Sequence, residues 1–524
     1  MTAATSAPVR HQPPHASRSV PLTAARLLRL ELRRNPMPWI LPLIAAAFWF
    51  DSYRPSTTQP PIWVLRTFWN MGQGHTIIDF GPFVAGVAAW AGSRDVRRGI
   101  ADLVTVTARS RWAAQLASWA ATAIWAVGGY LVFVAVMFGV YAHQGVQGSP
   151  PWWWVAVGAA AVTAFCAAGF AVGALFPSRF AAPLAAFGAF LVMAMSSRTG
   201  FSHTSGWALI LPTNSNGNYQ PPSGIFYPYL PDLPIARVMF LAGIAVAALG
   251  LIGLPAGAGG PWLRRTAAVV TLAGVVAAGT GVGLAGTARL GPHGMVIPAL
   301  HDAASDRPIR YTPVCGQSAG VPVCLNPAYR QFLPDVTAAL RPVLGEVAGL
   351  PGGPVRATQV AGAYSSGEGE VGAPMTISGR PPVLRMPLGS LNLPGAFGGS
   401  TAQFAQQLKL LSVHAFTGAG AGPGTPAQQA VQAALLQGAG VPFSAQNGVL
   451  SAVGLPSWAS ATLQPPASGH GAGPAEEDGP GPATGPVHAA ARRLAALPPS
   501  ARHAWLAAHL GALRSGQLTL AQLP

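Results

Sequence analysis

The sequence predicts a polytopic α-helical membrane protein of about seven transmembrane helices, followed by a small extracytoplasmic α+β domain on the C-terminal side. Three observations lead there. Only 9% of the 524 residues are charged, against roughly 25% in a soluble globular protein, and long stretches between Met37 and Ala288 carry no charge at all. The formal charge of +16 comes almost wholly from Arg, with Lys409 the sole lysine, and the Arg residues gather at the ends of apolar runs. Beyond residue 290 the composition changes to short apolar runs broken by Gly and Pro.

The predicted spans are 37–53, 76–93, 113–141, 153–176, 181–197, 235–256 and 266–288. Most reach the ~17–25 residues that cross a ~30 Å hydrocarbon layer at 1.5 Å per residue. The first is short, and it leans on Trp39 at one interface and on Trp49 and Tyr53 at the other. With the N-terminus inside, the cytoplasmic pieces hold fourteen Arg, among them Arg94, Arg97, Arg98, Arg109 and Arg111 in a single loop, and the outer connections hold three, Arg54, Arg66 and Arg198. That asymmetry follows the positive-inside rule. It also accounts for the basic charge without nucleic acid, because the arginines mark topology rather than one continuous patch. The run from Met37 to Phe50 is followed by Asp51, Ser52, Tyr53 and Arg54 rather than by a small-residue cleavage site, so it reads as a retained signal anchor.

Residues 1–36 form a cytoplasmic tail. Within it, Leu27, Leu28, Leu30 and Leu32 gather on one side of a helix and Arg26, Arg29 and Arg33 on another. This describes either a basic amphipathic helix on the inner membrane surface or a plain positive flank. Cys166 lies inside the fourth span. Cys315 and Cys324 lie together in the region placed outside, where a disulfide is permitted. Neither they nor any His has the spacing of a metal site, and no cofactor motif occurs. His75 and Asp79, four apart at the outer end of the second span, are a polar pair that is either functional or simply solvated.

The loop after the second span carries the most information. Val96, Ile100, Leu103 and Val104 share a helix face among charges. A short amphipathic helix of this kind is suited to dock in a groove on a cytoplasmic partner; the alternative is a solvated loop. At this loop the sequence resembles the ABC-2 type permease family. Asp95, Gly99, Asp102, Leu103, Val104, Thr107, Ser110 and Arg111 fall on the family pattern, while Ala108 stands where Pro is usual. The resemblance covers residues 20–257, six of the seven spans. The overall layout is similar to an actinobacterial set of ABC-2-like membrane proteins in which an extra span leads to an outer domain opening with a Cys pair. The Arg-rich, Ala/Gly/Pro-rich composition fits such a source. The resemblance implies a permease in the cell membrane, a homo- or heterodimer of permease subunits, and a separate ABC-type ATPase docked at the loop that carries Arg97 and Arg98. The chain has no phosphate loop of its own, since Lys409 follows Gln406-Gln-Leu rather than glycines. The family also implies a re-entrant element between the fifth and sixth spans. Here the connection 198–234 is rich in aromatics, Trp207, Tyr219, Phe226, Tyr227 and Tyr229 among them. That suits either the outer interface or packing under the C-terminal domain.

In the outer region, residues 292–463 are expected to form the α+β domain, with strand-like runs at 355–360, 375–378 and 383–386 and helices at 328–347, 400–416 and 426–437. A Pro/Gly-rich linker at 464–486 precedes two terminal helices within 487–524, the second with Ser500 as its expected N-cap. No zinc-protease or nucleophile-elbow motif is present, and His414, His503 and His509 stand alone, so no enzyme is expected. A non-transporting sensor or scaffold, whose outer domain binds a ligand or an envelope partner, is the competing reading.

Overall fold

The computed structural model describes residues 20–52, 62–63, 75–97, 110–199, 210–211, 224–255, 260–291, 293–361, 375–388, 391, 393–394, 400–418, 424–441, 443–446, 449–452 and 485–524. The N-terminal half is helical. Helix α1 (Val20–Arg34) has a strong apolar-to-basic asymmetry and ends on Arg33 and Arg34, the charge that suits a helix C-terminus. Asn35 breaks the chain: its Oδ1 accepts from the Met37 amide at 3.0 Å and its Nδ2 donates to Thr122 Oγ1 at 2.9 Å. Helix α2 (Met37–Ser52) follows with Pro42 inside it. Then come α3 (His75–Gly92), the single turn α4 (Arg94–Arg97), α5 (Arg111–His143), α6 (Trp152–Leu175), α7 (Ala181–Thr199), α8 (Asp232–Leu251) and α9 (Pro261–Gly286).

Helices α5, α6, α8 and α9 are long and apolar enough to cross a membrane, and α2, α3 and α7 contain shorter apolar stretches. The chain is thus mostly helical in this half and built for a bilayer. The α9 surface makes the point: Val269, Leu272, Val275 and Val276 are all exposed, an apolar face that water would penalise and lipid would not. Without a hydrophobic driving force between helices in lipid, close backbone approach supplies the packing. Gly169 and Gly173 of α6 lie so near Ala85 and Ala89 of α3 that a Cβ on either would strike the α3 backbone. Gly243 of α8 and Gly274 of α9 meet in the same way, each facing the other's carbonyl oxygen at 2.7 Å from a would-be Cβ.

Helix α9 runs into a hairpin, β1 (Arg289–Gly291) with β2 (Gly294–Val296), and then into the sheet domain. That domain contains β3 (Val314–Ser318), β4 (Val321–Leu325), α10 (Leu333–Val347), β5 (Arg356–Gln359), β6 (Thr376–Ser378), β7 (Val383–Met386), α11 (Thr401–Thr417), α12 (Pro426–Gly438), a hairpin of β8 (Phe443–Gln446) with β9 (Val449–Ala452), α13 (Pro486–Ala496) and α14 (Pro499–Arg514). The main sheet has the order β3-β4-β5-β7-β6, with parallel β4–β5 and β5–β7 pairs and antiparallel edges. Helices α10, α11, α12, α13 and α14 share one core, built around Tyr329, Leu340, Phe404, Val431, Leu494 and Leu513.

The expected strands and helices of this domain are present within a residue or two, except that 327–332 forms a 3-10 turn ahead of α10. Thr425 caps α12 with Pro426 at its first position, and Gln428 closes the capping box. Ser500 is not a cap. Helix α14 begins one residue earlier, with Pro498 in the cap position and Pro499 first, because the fixed φ of Pro499 already suits a helix start and needs no side-chain partner. The terminal helices do not trail away. Gln428 Nε2 donates to Thr417 O and Leu513 O at 3.1 and 2.9 Å, Arg502 pairs with Glu346, and Arg514 Nη1 donates to Gly352 O at 2.8 Å. The expected linker lies outside the described residues, up to residue 484.

The sheet domain is seated on the helical half. Ile62, Ile225 and Phe226, from connections between membrane helices, enter its core. Ile309 N donates to Phe226 O at 2.8 Å, and Asn326 Nδ2 to Ile225 O at 3.4 Å. Residues 224–227 of the aromatic connection before α8 therefore pack under the C-terminal domain, whereas Ile210 joins a cluster with Val157, Met193 and Phe240 of the helical half; 200–209 and 212–223 are outside the described residues.

Candidate coupling surface and outer acid–histidine cluster

At the bundle end far from the sheet domain, α1 lies against α5 and reaches the end of α3. Trp125 Nε1 donates to Leu32 O at 3.0 Å. Glu31 receives both Arg94 nitrogens at 2.8 Å, a bidentate pair whose side chains are 16% and 23% exposed. Planar fork-to-carboxylate matching fixes geometry as well as charge. Arg94 also lies 3.6 Å from Asp95. Arg97 folds back on α3, with Nε on Ser93 Oγ at 3.1 Å, Nη2 on Trp90 O at 2.6 Å, and the guanidinium 4.5 Å from the Trp90 ring. Across the loop, Ser110 caps α5, accepting from Ala113 N at 3.3 Å, and Arg111 opens that helix. Arg98, Gly99, Asp102, Leu103, Val104 and Thr107, which belong to the same expected coupling loop, lie outside the described residues. The two ends of the loop are thus anchored to α1 and α5.

Helix α5 spans 33 residues, roughly 50 Å at 1.5 Å per residue, well beyond the ~30 Å of a hydrocarbon core. Pro42 and Gly129 help to shape an apolar groove of about 620 Å³ between α2 and α5. Trp49 and Trp125 line it too, and acyl chains would cover it.

At the other end, His75 and Asp79 fall in the first two turns of α3, and their side chains lie outside the described residues. A different polar group is built there. Asp232 opens α8, is fully buried, and accepts from the Ile297 amide at 2.9 Å through Oδ2. The same oxygen lies 3.2 Å from His301 Nδ1, and His301 Nε2 lies 3.0 Å from Asp306 Oδ2. With a carboxylate on each ring nitrogen, the imidazole is best satisfied as the doubly protonated cation. The hydrogen bond to Asp306, helped by the charge of Asp232, holds His301 above its ordinary pKa, against the opposing effect of burial. Asp232 Oδ1 is buried without a partner among the described residues. One turn further along α8, Arg237 is also fully buried. Both His301 nitrogens are committed to carboxylates, and no metal-holding cluster occurs among the described residues. The arrangement is an electrostatic strut between α8 and the chain that leaves α9. The sequence reading missed it, because 69 residues separate Asp232 from His301. A carboxylate at the mouth of a predicted span was the one available signal.

Cys315 and Cys324 form a disulfide across the β3–β4 hairpin, and Cys166 is a buried free thiol. The isolated histidines are packing groups: His414 is buried 3.3 Å from Gln432 Nε2, His503 meets Glu346 O at 3.1 Å, and His509 stacks on Trp505. No family model, no curated protein and no solved structure matches this chain.

Proposed function

We propose that the protein is a permease-like subunit of an ABC-2 type export system in the cell membrane, energised by a separate cytoplasmic ATPase. It crosses the bilayer seven times, with its N-terminus inside and its sheet domain outside, and two permease subunits form the pathway. The observation that carries the reading is the bidentate Glu31–Arg94 pair, which ties a basic amphipathic helix to the start of the 94–111 loop. A loop anchored at both ends transmits a push from a docked partner into α3 and α5; a free loop would absorb it. The Arg asymmetry supports the orientation.

The test is a search of the neighbouring reading frames for an ABC-type ATPase and its co-purification from membranes with the native chain and with a variant carrying Arg97→Ala, Arg98→Ala and Leu103→Ala together. Stable capture by the native chain and its loss in the triple variant are expected. Capture that ignores the substitutions would sink the coupling loop, and no capture at all would sink the transport reading. Orientation has its own readout: after mild reduction, Cys315 and Cys324 should react with an impermeant thiol reagent in intact cells. The second reading, a membrane sensor or scaffold, is favoured by a cleft in the sheet domain. It predicts ligand-dependent association with envelope material and no ATPase partner.

A further inference from the structure

A cleft of about 440 Å³ opens where the sheet domain meets the connection into α8 and the hairpin after α9. It lies at the C-terminal ends of the parallel strands β5 and β7, the place where open sheets with parallel strands commonly receive ligands. Its volume is in the range of ordinary small-molecule sites. Two aromatic walls face it. Tyr227 and His293 stack with ring centroids 3.6 Å apart and planes at 23°, and Phe226 meets Tyr311 edge-on at 5.7 Å. Burial holds His293 below its ordinary pKa, against the opposing charge of Asp306.

Arg385 is the one charged side chain among the described lining residues. Gln359 is 1% exposed; its Oε1 accepts from Asn326 N at 2.8 Å, while its Nε2 has no hydrogen-bond partner among the described residues. Gln359 pairs with Met386 in the β5–β7 register, so its side chain lies on the core face, opposite Thr358 and Arg385, and the cleft takes its polar character from the other face. Arg385 stands beside Thr358 in the β5–β7 register, is exposed, and takes part in none of the ion pairs among the described residues. No carboxylate is among the described residues that line the cleft.

We infer that this cleft binds an acidic pyranose sugar. The apolar face of the ring lies against the Tyr227–His293 stack, and the carboxylate pairs with Arg385. The platform favours a flat-faced ring over a peptide backbone, and the lone cation favours an acid over a neutral sugar. The site stands independently of the transport reading, because it requires only the folded outer domain on its seat.

The test uses the full chain in lipid nanodiscs, with calorimetric titration of N-acetylmuramic acid, glucuronic acid, N-acetylglucosamine and an acetylated dipeptide with a free carboxylate. N-acetylmuramic acid is expected to bind at least about tenfold more tightly than N-acetylglucosamine, and Arg385→Gln to erase that difference. Tyr311→Leu, which trims one wall, should weaken both sugars together. An unchanged thermal unfolding midpoint checks that each variant is folded. Equal affinity for the two N-acetyl sugars, indifference to Arg385→Gln, or tighter binding of the dipeptide would each overturn the assignment.

Discussion

Replacing Asp232 with Ala strikes the point where α8 meets the segment leaving α9. The substitution removes the acceptor of the Ile297 amide, 2.9 Å away and attached to a fully buried residue, and one of the two carboxylates on His301. A hydrogen bond to a charged acceptor contributes about 1.5–3 kcal/mol, and the stranded amide and small void add to that, giving about 2–4 kcal/mol in all. Asp306 does not substitute for it, since its side chain is 44% exposed and its charge is screened. Asp232→Asn keeps an oxygen for Ile297 and should cost about half as much. The assay is built into the chain: Cys166 is fully buried in α6 and is the free thiol among three cysteines, so a thiol-reactive dye reports unfolding on heating. Asp232→Ala should lower the midpoint by roughly 5–10 °C, and Asp232→Asn by less. A midpoint within about 1 °C of the native value for Asp232→Ala would refute the strut. The same cluster sets a pH dependence. His301 has a raised pKa in the folded protein, so its contribution is fully present below the unfolded value of about 6.5 and is lost as pH rises through the folded value. The native midpoint should therefore fall on going from mildly acidic to mildly alkaline buffer, and His301→Gln should flatten that fall.

Three further outcomes follow from the structure. Changing Cys315 and Cys324 together to Ser opens a crosslink between residues nine apart, which should destabilise the sheet domain by about 2–3 kcal/mol, read as earlier proteolysis of that domain at fixed temperature. Ala319, with φ of 49°, sits with Gly320 in the turn of the β3–β4 hairpin, where both central residues need the left-handed region; Ala319→Gly should raise the domain's stability by about 0.5–1 kcal/mol in the same assay. Gly173→Leu would drive a side chain into the α3 backbone at Ala89 and should abolish stable folding, seen as Cys166 reactivity before heating, whereas Gly283→Leu, with open space around its would-be Cβ, should be tolerated.

What the sequence made legible was local or statistical. Apolar runs end where Arg begins, so the long helices were readable; Thr425-Pro426 announces a helix start from its own chemistry. The hairpin that carries Cys315 and Cys324 was visible as a cysteine pair but not as strands, since Pro322 interrupts the alternation that marks them. What was not legible depends on distance along the chain. Gln428 reaches Leu513 over 85 residues and Arg502 reaches Glu346 over 156, and no local pattern tells a docked terminal helix from a free one. The aromatic connection before α8 was ambiguous for a related reason: Phe226 suits a lipid interface and a protein core equally well, and only the carbonyl it offers to Ile309 separates them.

That connection links the two outer features. Phe226 and Tyr227 line the cleft, and five residues after Tyr227 the chain reaches Asp232, the anchor of α8. His293 and His301, on the segment after α9, face the same two places from the other side. A ligand that orders the Tyr227–His293 platform therefore holds the same pair of segments that the Asp232–His301 contact holds. Two restraints on one junction are coupled by necessity: whichever is made first lowers the entropy that the second must remove. Helix α8 in turn meets α9 through Gly243 and Gly274 at backbone contact, a packing with little room to yield. Occupancy of the cleft would then be felt as a change in how firmly α8 is held at its Asp232 end. That gives the sheet domain a physical route to the membrane helices whether those helices carry a substrate or a signal.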